Sequence, residues 1–131
     1  MIDESLLEPF FEIVLSESIG DYQGDTLLVL RNKSDYGWRW TDSESKVWGF
    51  LVTGYGSCSG CDVWEGAETG TQKFALLAEE IEGIRWFQTL PQLQAYVTDK
   101  YTTELEWWGN EPDYKAFAKT VSELTGGETD G

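Results

Sequence analysis

Histidine is absent from this chain, and lysine and arginine together number 9 against 24 aspartates and glutamates. Without an imidazole the protein lacks the commonest general base, the commonest nitrogen ligand for a metal, and every Ser–His or Cys–His nucleophile pair. Catalysis would have to rest on carboxylates, tyrosine, lysine or thiols, which disfavours an enzyme. The shortage of cations leaves a formal net charge of −15, a field that repels phosphate backbones and anionic membranes and attracts basic proteins. Direct nucleic-acid binding and membrane-surface binding are therefore not expected. No apolar run approaches the roughly 18 residues that mark a membrane-spanning helix. The first residues, Met1-Ile2-Asp3-Glu4, are acidic, where a secretory signal is basic. The expected compartment is the cytoplasm, where thiols stay reduced.

What is present suffices for a core. Hydrophobic residues make up 40% of the 131 positions and aromatics 15%, with seven tryptophans, so this is not a disordered acidic tail. With no repeat and no linker, the expected organisation is a single compact α+β domain over residues 1–127 and a flexible acidic tail over 128–131. Ser5-Leu6-Leu7-Glu8 fits a capping box ahead of Phe10, Phe11 and Val14 at near-helical spacing, which predicts a helix over 5–15. Gly20 to Asp25 reads as a turn. Strands are expected over 26–31, 36–41 and 47–53, forming an antiparallel meander, with 84–87 as a further short strand. In that meander Trp38 and Trp40 share a face, and a register placing Trp40 opposite Trp48 would make an aromatic ladder. Helices are expected over 72–82 (Phe74, Leu77, Ala78 and Ile81 inward), 90–100 behind the cap Thr89-Leu90-Pro91-Gln92, and 111–124 with Tyr114, Phe117, Val121 and Leu124 inward.

Both cysteines fall in one unusual stretch, Gly54-Tyr55-Gly56-Ser57-Cys58-Ser59-Gly60-Cys61-Asp62. A thioredoxin-like redox pair requires a helix to start at the first cysteine, and Gly66, Thr69 and Gly70 interrupt the chain too soon. A structural zinc site needs four ligands, of which Cys58 and Cys61 supply two, and without histidine the others would be carboxylates such as Asp62 or the same motif from a second subunit. The plainer reading is a tight glycine-rich turn with the thiols packed as small apolar groups. The segments Gly20 to Asp25 (GDYQGD), Gly54 to Asp62 (GYGSCSGCD) and Ile84 to Phe87 (IRWF), set along about half the chain, resemble those shared by a family of small, acidic, uncharacterised bacterial and bacteriophage proteins. The resemblance implies a compact intracellular α+β domain, in the host cytoplasm if the chain is phage-encoded, and carries no activity with it.

Two further places are candidates. Asp21 and Asp25 could offer a carboxylate pair to a divalent cation, with Asp62 if the loops converge, although their spacing lacks the ordered ligand series of a calcium loop and turn closure explains them as well. Glu104, Glu106, Trp107, Trp108, Glu111 and Asp113 form an acidic-aromatic stretch. Adjacent tryptophans in extended chain point to opposite sides, so one of them is expected at the surface, ringed by carboxylates as a partner-binding patch. The alternative is that one closes the core and the other half-covers it. The acid excess exceeds the roughly 2 to 8 charges that solubility asks of a small domain. The functional expectation is a non-enzymatic interaction or inhibitor protein of phage or mobile-element type. It would bind a basic, nucleic-acid-binding host protein, in the sharper form as a DNA mimic against a defence system. The alternative is a small CxxC thiol-redox or metal-binding protein working through Cys58 and Cys61.

Overall fold

The structure, a computed structural model, describes residues 2–20, 24–32, 47–55, 64, 66–103 and 111–125. Its centre is a four-stranded antiparallel sheet. In chain order the elements are a 3-10 turn (Glu4–Leu6), strands β1 (Phe11–Gly20), β2 (Gly24–Asn32) and β3 (Trp48–Tyr55), helix α1 (Gly70–Glu82), strand β4 (Arg85–Phe87), and helices α2 (Leu90–Thr103) and α3 (Glu111–Ser122). Spatial order follows chain order, β1-β2-β3-β4. The α+β class with an antiparallel sheet is therefore as the sequence pattern implies. Among the described residues no helix is long and apolar enough to cross a membrane.

Both faces of the sheet are covered, and β2 explains why. From Thr26 to Leu30 every residue is buried, because successive side chains of a strand point to opposite faces. Leu27 and Val29 join Ile19, Trp48 and Phe50 under α2 and α3, packed on Leu93, Val97, Tyr101, Tyr114, Phe117 and Val121. Leu28 and Leu30 join Phe11 and Leu51 on the other face, beneath Leu77 and Ile81 of α1 and Leu7 of the N-terminal turn. An unbroken apolar run is the signature of a strand sandwiched in this way.

The segment expected as a helix over 5–15 folds otherwise. Asp3, not Ser5, is the capping residue: its Oδ1 accepts from the Ser5 amide at 3.1 Å and the Ser5 hydroxyl at 2.6 Å. The turn ends where the Phe10 and Phe11 amides both donate to the Leu7 carbonyl, and the chain then runs as β1. Leu7 and Phe11, four residues apart, do bury into one cluster, so the spacing is real but is produced by a turn followed by a strand. Pro9 lacks the amide that a continuing helix would use. The β-branched Ile13, Val14 and Ile19 favour extended backbone. The pairing from Phe11↔Asn32 to Gly20↔Gly24, with a bulge between Ile13 and Leu15, then secures the strand.

Gly20 pairs with Gly24 at the end of the β1–β2 ladder, positions 21–23 lie outside the described residues, and the two ends show what the glycines do. Gly20 has φ 120°, a conformation that L side chains rarely adopt, and a Cβ on Gly24 would lie 1.9 Å from the Ile19 carbonyl oxygen. The meander differs from expectation. β3 pairs directly with β2 on one edge and with β4 on the other. A strand has two hydrogen-bonding edges, and those of Trp48 are taken by Arg31 and Phe87. The ladder of Trp40 on Trp48 is thus excluded, while positions 36–41 themselves lie outside the described residues, as does the tail 128–131. Trp86 lies on the sheet face as expected, its ring 5.6 Å from that of Phe11. To pass there it crosses Gly49, where a Cβ would meet Ile84 Cγ2 at 2.7 Å and the Trp86 ring at 3.1 Å.

Two of the helices begin on capping boxes, of which that at Thr89 is the expected one. Thr69 and Gln72 form a full capping box on α1. Thr89 and Gln92 repeat the arrangement on α2, with the Gln92 amide to Thr89 Oγ1 at 3.4 Å and the Thr89 amide to Gln92 Oε1 at 3.3 Å. Pro91 and Pro112 sit in first turns, where a missing amide is harmless.

Candidate functional sites

On the α1 face of the sheet, the Glu80 carboxylate gathers two donors from different elements. Its Oε2 accepts from the Thr53 hydroxyl of β3 and, at 3.0 Å, from the indole Nε1 of Trp64. Thr53 and Trp64 are each 5% exposed, so both donors are nearly out of water and need a partner there. The paired Thr26 is fully buried, and its Oγ1 shares a hydrogen bond of 3.0 Å with Ser18. A patch of hydroxyls, a carboxylate and an indole thus lies at the end of β3, between the two anchor points of the cysteine-bearing stretch: Tyr55 leaves the strand before it and Trp64 is held by Glu80 after it. Cys58, Cys61 and Asp62 lie outside the described residues.

On the opposite face, Asp25 meets α3. The Tyr114 hydroxyl donates to Asp25 Oδ2 at 2.8 Å, joining the first turn of α3 to the start of β2. Of the carboxylate pair, Asp21 lies outside the described residues, and Asp25 serves as acceptor for a core tyrosine. Of the acidic-aromatic stretch, 104–110 lies outside the described residues, which includes Glu104, Glu106, Trp107 and Trp108. Glu111 opens α3, and Asp113 is exposed beside the inward-facing Tyr114. The fold therefore brings the end of this patch, beside Tyr114, next to the start of β2, a proximity that sequence separation hides. Among the described residues, no group of three or more acidic or cysteine side chains is placed to hold a metal ion.

One open cleft of about 490 Å³ lies between the start of α2 and the end of α3, lined by Arg31, Trp48, Thr89, Pro91, Gln94 and Leu124 among others. Its floor is structural: the Gln94 amide donates to the carbonyls of Val121 and Leu124 at 2.9 and 3.0 Å, closing the end of α3, and the Arg31 guanidinium stacks 5.3 Å from the Trp48 ring.

Two features had no counterpart in the sequence pattern. Trp64 stands alone in a stretch of glycine and acid with no period, so neither its burial nor its pairing with Glu80 is signalled. Phe74, expected inward with Leu77, Ala78 and Ile81, is 59% exposed. The apolar cluster on that face ends at Leu77, and the stripe continues one turn past what the sheet can cover. Compared with protein-family models, curated proteins and solved structures, the chain matches none.

Proposed function

We propose that this protein is a non-enzymatic acidic interaction or inhibitor protein of phage or mobile-element type, which engages a basic, nucleic-acid-binding host protein. The observation that carries this reading is the charge, −15 with no histidine, combined with where the acids stand. Glu12 and Glu17 on β1, Glu79 and Glu82 on α1, Asp99 on α2 and Asp113 on α3 are all exposed. Acids spread over both helical layers and the outer strand give a negative field on several sides, suited to steering a basic partner and to making its association fast and sensitive to salt. In its sharper form the carboxylates stand in for the phosphates of DNA and occupy the nucleic-acid groove of a defence protein. The stretch Glu104, Glu106, Trp107, Trp108, Glu111 and Asp113 supplies aromatic anchors within the acidic surface.

Capture from a host lysate at low and at high ionic strength tests this reading. Retention at low salt of a basic protein that duplex DNA displaces is the expected result. If nothing basic is retained at low salt, the reading fails, and if DNA does not compete, the mimic form fails. Replacing Cys58 and Cys61 by serine separates it from a thiol or zinc protein: the interaction protein keeps its partner as long as it folds.

A further inference from the structure

Strand β1 forms one edge of the sheet and leaves a long side open. Spatial order is β1-β2-β3-β4, so the two edges are β1, of 10 residues, and β4, of 3. Among the described residues only β2 pairs with β1. In an antiparallel ladder every second residue turns its amide and carbonyl to the partner strand, and the next turns them away. The outer side of β1 therefore presents a row of donors and acceptors that a further strand can use. Proteins usually blunt such an edge with proline, lysine or bulges. β1 has no proline and no lysine, and one bulge between Ile13 and Leu15. Its middle is only half-buried, with Val14 and Leu15 packed toward α2 and α3 and Ile13 toward α1.

The charges along this edge are of one sign. Glu12 and Glu17 are exposed, and no lysine or arginine precedes Arg31. Five residues apart, the two would lie on opposite faces of a regular strand. The bulge brings them to the same face: their partners on β2 are Arg31 and Leu27, which are four apart. Leu27 lies under α2 and α3, which makes this the α2–α3 face. The register of Glu12 with Arg31 already sets opposite charges across the ladder, the arrangement that sheets favour.

We infer that the outer edge of β1 accepts an extended basic segment of the partner as an added β-strand, with two lysines or arginines four residues apart meeting Glu12 and Glu17. This rests on the reading of the protein as an acidic ligand of a basic protein, and it assigns that partner a mode of attachment. Main-chain hydrogen bonds supply the affinity and alternate side chains the selectivity, as in other strand additions. The edge and the charges together select the occupant. Nucleic acid and anionic membranes are repelled and offer no peptide edge. A second copy of this chain has the edge, but paired antiparallel about the middle of β1 it sets Glu12 against Glu17. Like charges directly opposite destabilise a sheet. An extended segment rich in lysine or arginine satisfies both requirements.

The probe is a blocked, threonine-rich octapeptide with two lysines four residues apart, titrated at low ionic strength against the full-length protein. It is expected to bind and to protect the β1 amides from hydrogen exchange. An isomer with its lysines three residues apart puts them on opposite faces and should bind about threefold more weakly, the loss of one cross-strand charge pair. The double variant E12Q/E17Q should weaken the first peptide about tenfold, with an unchanged melting temperature to show that the fold is retained. N-methylation of the threonine amides keeps the peptide's charge and removes its main-chain donors, and should abolish binding. If the N-methylated peptide binds equally well, charge alone holds it, and the added strand is wrong while the proposed function stands. If the unmodified peptide leaves the β1 amides unprotected while a host lysate still yields a basic partner, the inference again falls alone. A wild-type dimer in size-exclusion chromatography with its β1 amides already protected assigns the edge to self-association and overturns the inference. If neither peptide nor lysate gives a basic ligand, the proposed function fails and the added strand fails with it.

Discussion

Glu80 shows how one side chain can join three elements that are far apart in sequence. Its carboxylate takes the Thr53 hydroxyl and the Trp64 indole, so removing it strands two donors that are nearly buried. Glu80→Ala should cost about 2 to 4 kcal/mol in urea unfolding, because unsatisfied buried donors are worth about 1 to 3 kcal/mol each and these are partly able to find water. Glu80→Gln, which keeps an acceptor oxygen, should cost clearly less, and an equal loss in both variants would show that the carboxylate is not acting through these bonds. At Gly49 the constraint is space. An added methyl meets Ile84 and Trp86, and Gly49→Ala should destabilise by about 1 to 3 kcal/mol, the usual range for overpacking. A neutral result in the same measurement would mean that Trp86 does not cross the strand there.

Among the elements, α2 and α3 were the most legible. The cap of α2 is spelled out by Thr89/Gln92, and the inner residues Leu93, Val97, Tyr114, Phe117 and Val121 of the two helices recur at helical spacing and are all buried. Thr89→Ala should remove one cap and lower stability by about 1 kcal/mol, whereas Leu93→Ala, opening a cavity at a fully buried position, should cost about 2 to 5 kcal/mol. Thermal or chemical denaturation of the pair ranks the two, and a cap variant costlier than the cavity variant would contradict this packing. β1 was the element misread. Leu7, Phe10, Phe11 and Val14 satisfy a helical period only when local spacing is considered, and the choice between helix and strand was made by the partner strand. β2 offers partner positions from Phe11↔Asn32 to Gly20↔Gly24, interrupted only by the bulge between Ile13 and Leu15, and hydrogen-bonded pairing overrides a weak local period.

For the whole molecule the governing quantity is charge. At −15 the folded state compresses like charges, and salt screens them over about 10 Å at 0.1 M. The melting temperature should therefore rise by several degrees from about 20 mM to about 500 mM sodium chloride, while affinity for a basic partner falls over the same range. Opposite responses of stability and binding in one salt series would be the expected signature of an acidic interaction protein. A melting temperature that falls with added salt would indicate that attractive charge pairs, not repulsion, dominate the folded state.

Composition and local period determined the broad class: an acidic chain with no histidine, rich enough in aromatics to build a core, with a buried strand at 26–31 and amphipathic helices after it. These follow from counts and from periods within single elements, which need no partner to be read. The tertiary structure decided what depends on pairs distant in sequence. It made β1 a strand by providing β2, placed β3 between β2 and β4, joined Asp25 to Tyr114 across 89 positions and tied Trp64 to Glu80. It also left Phe74 in water. A residue's period shows which way it points along its own element. Whether anything covers it is set by how far the neighbouring layer extends.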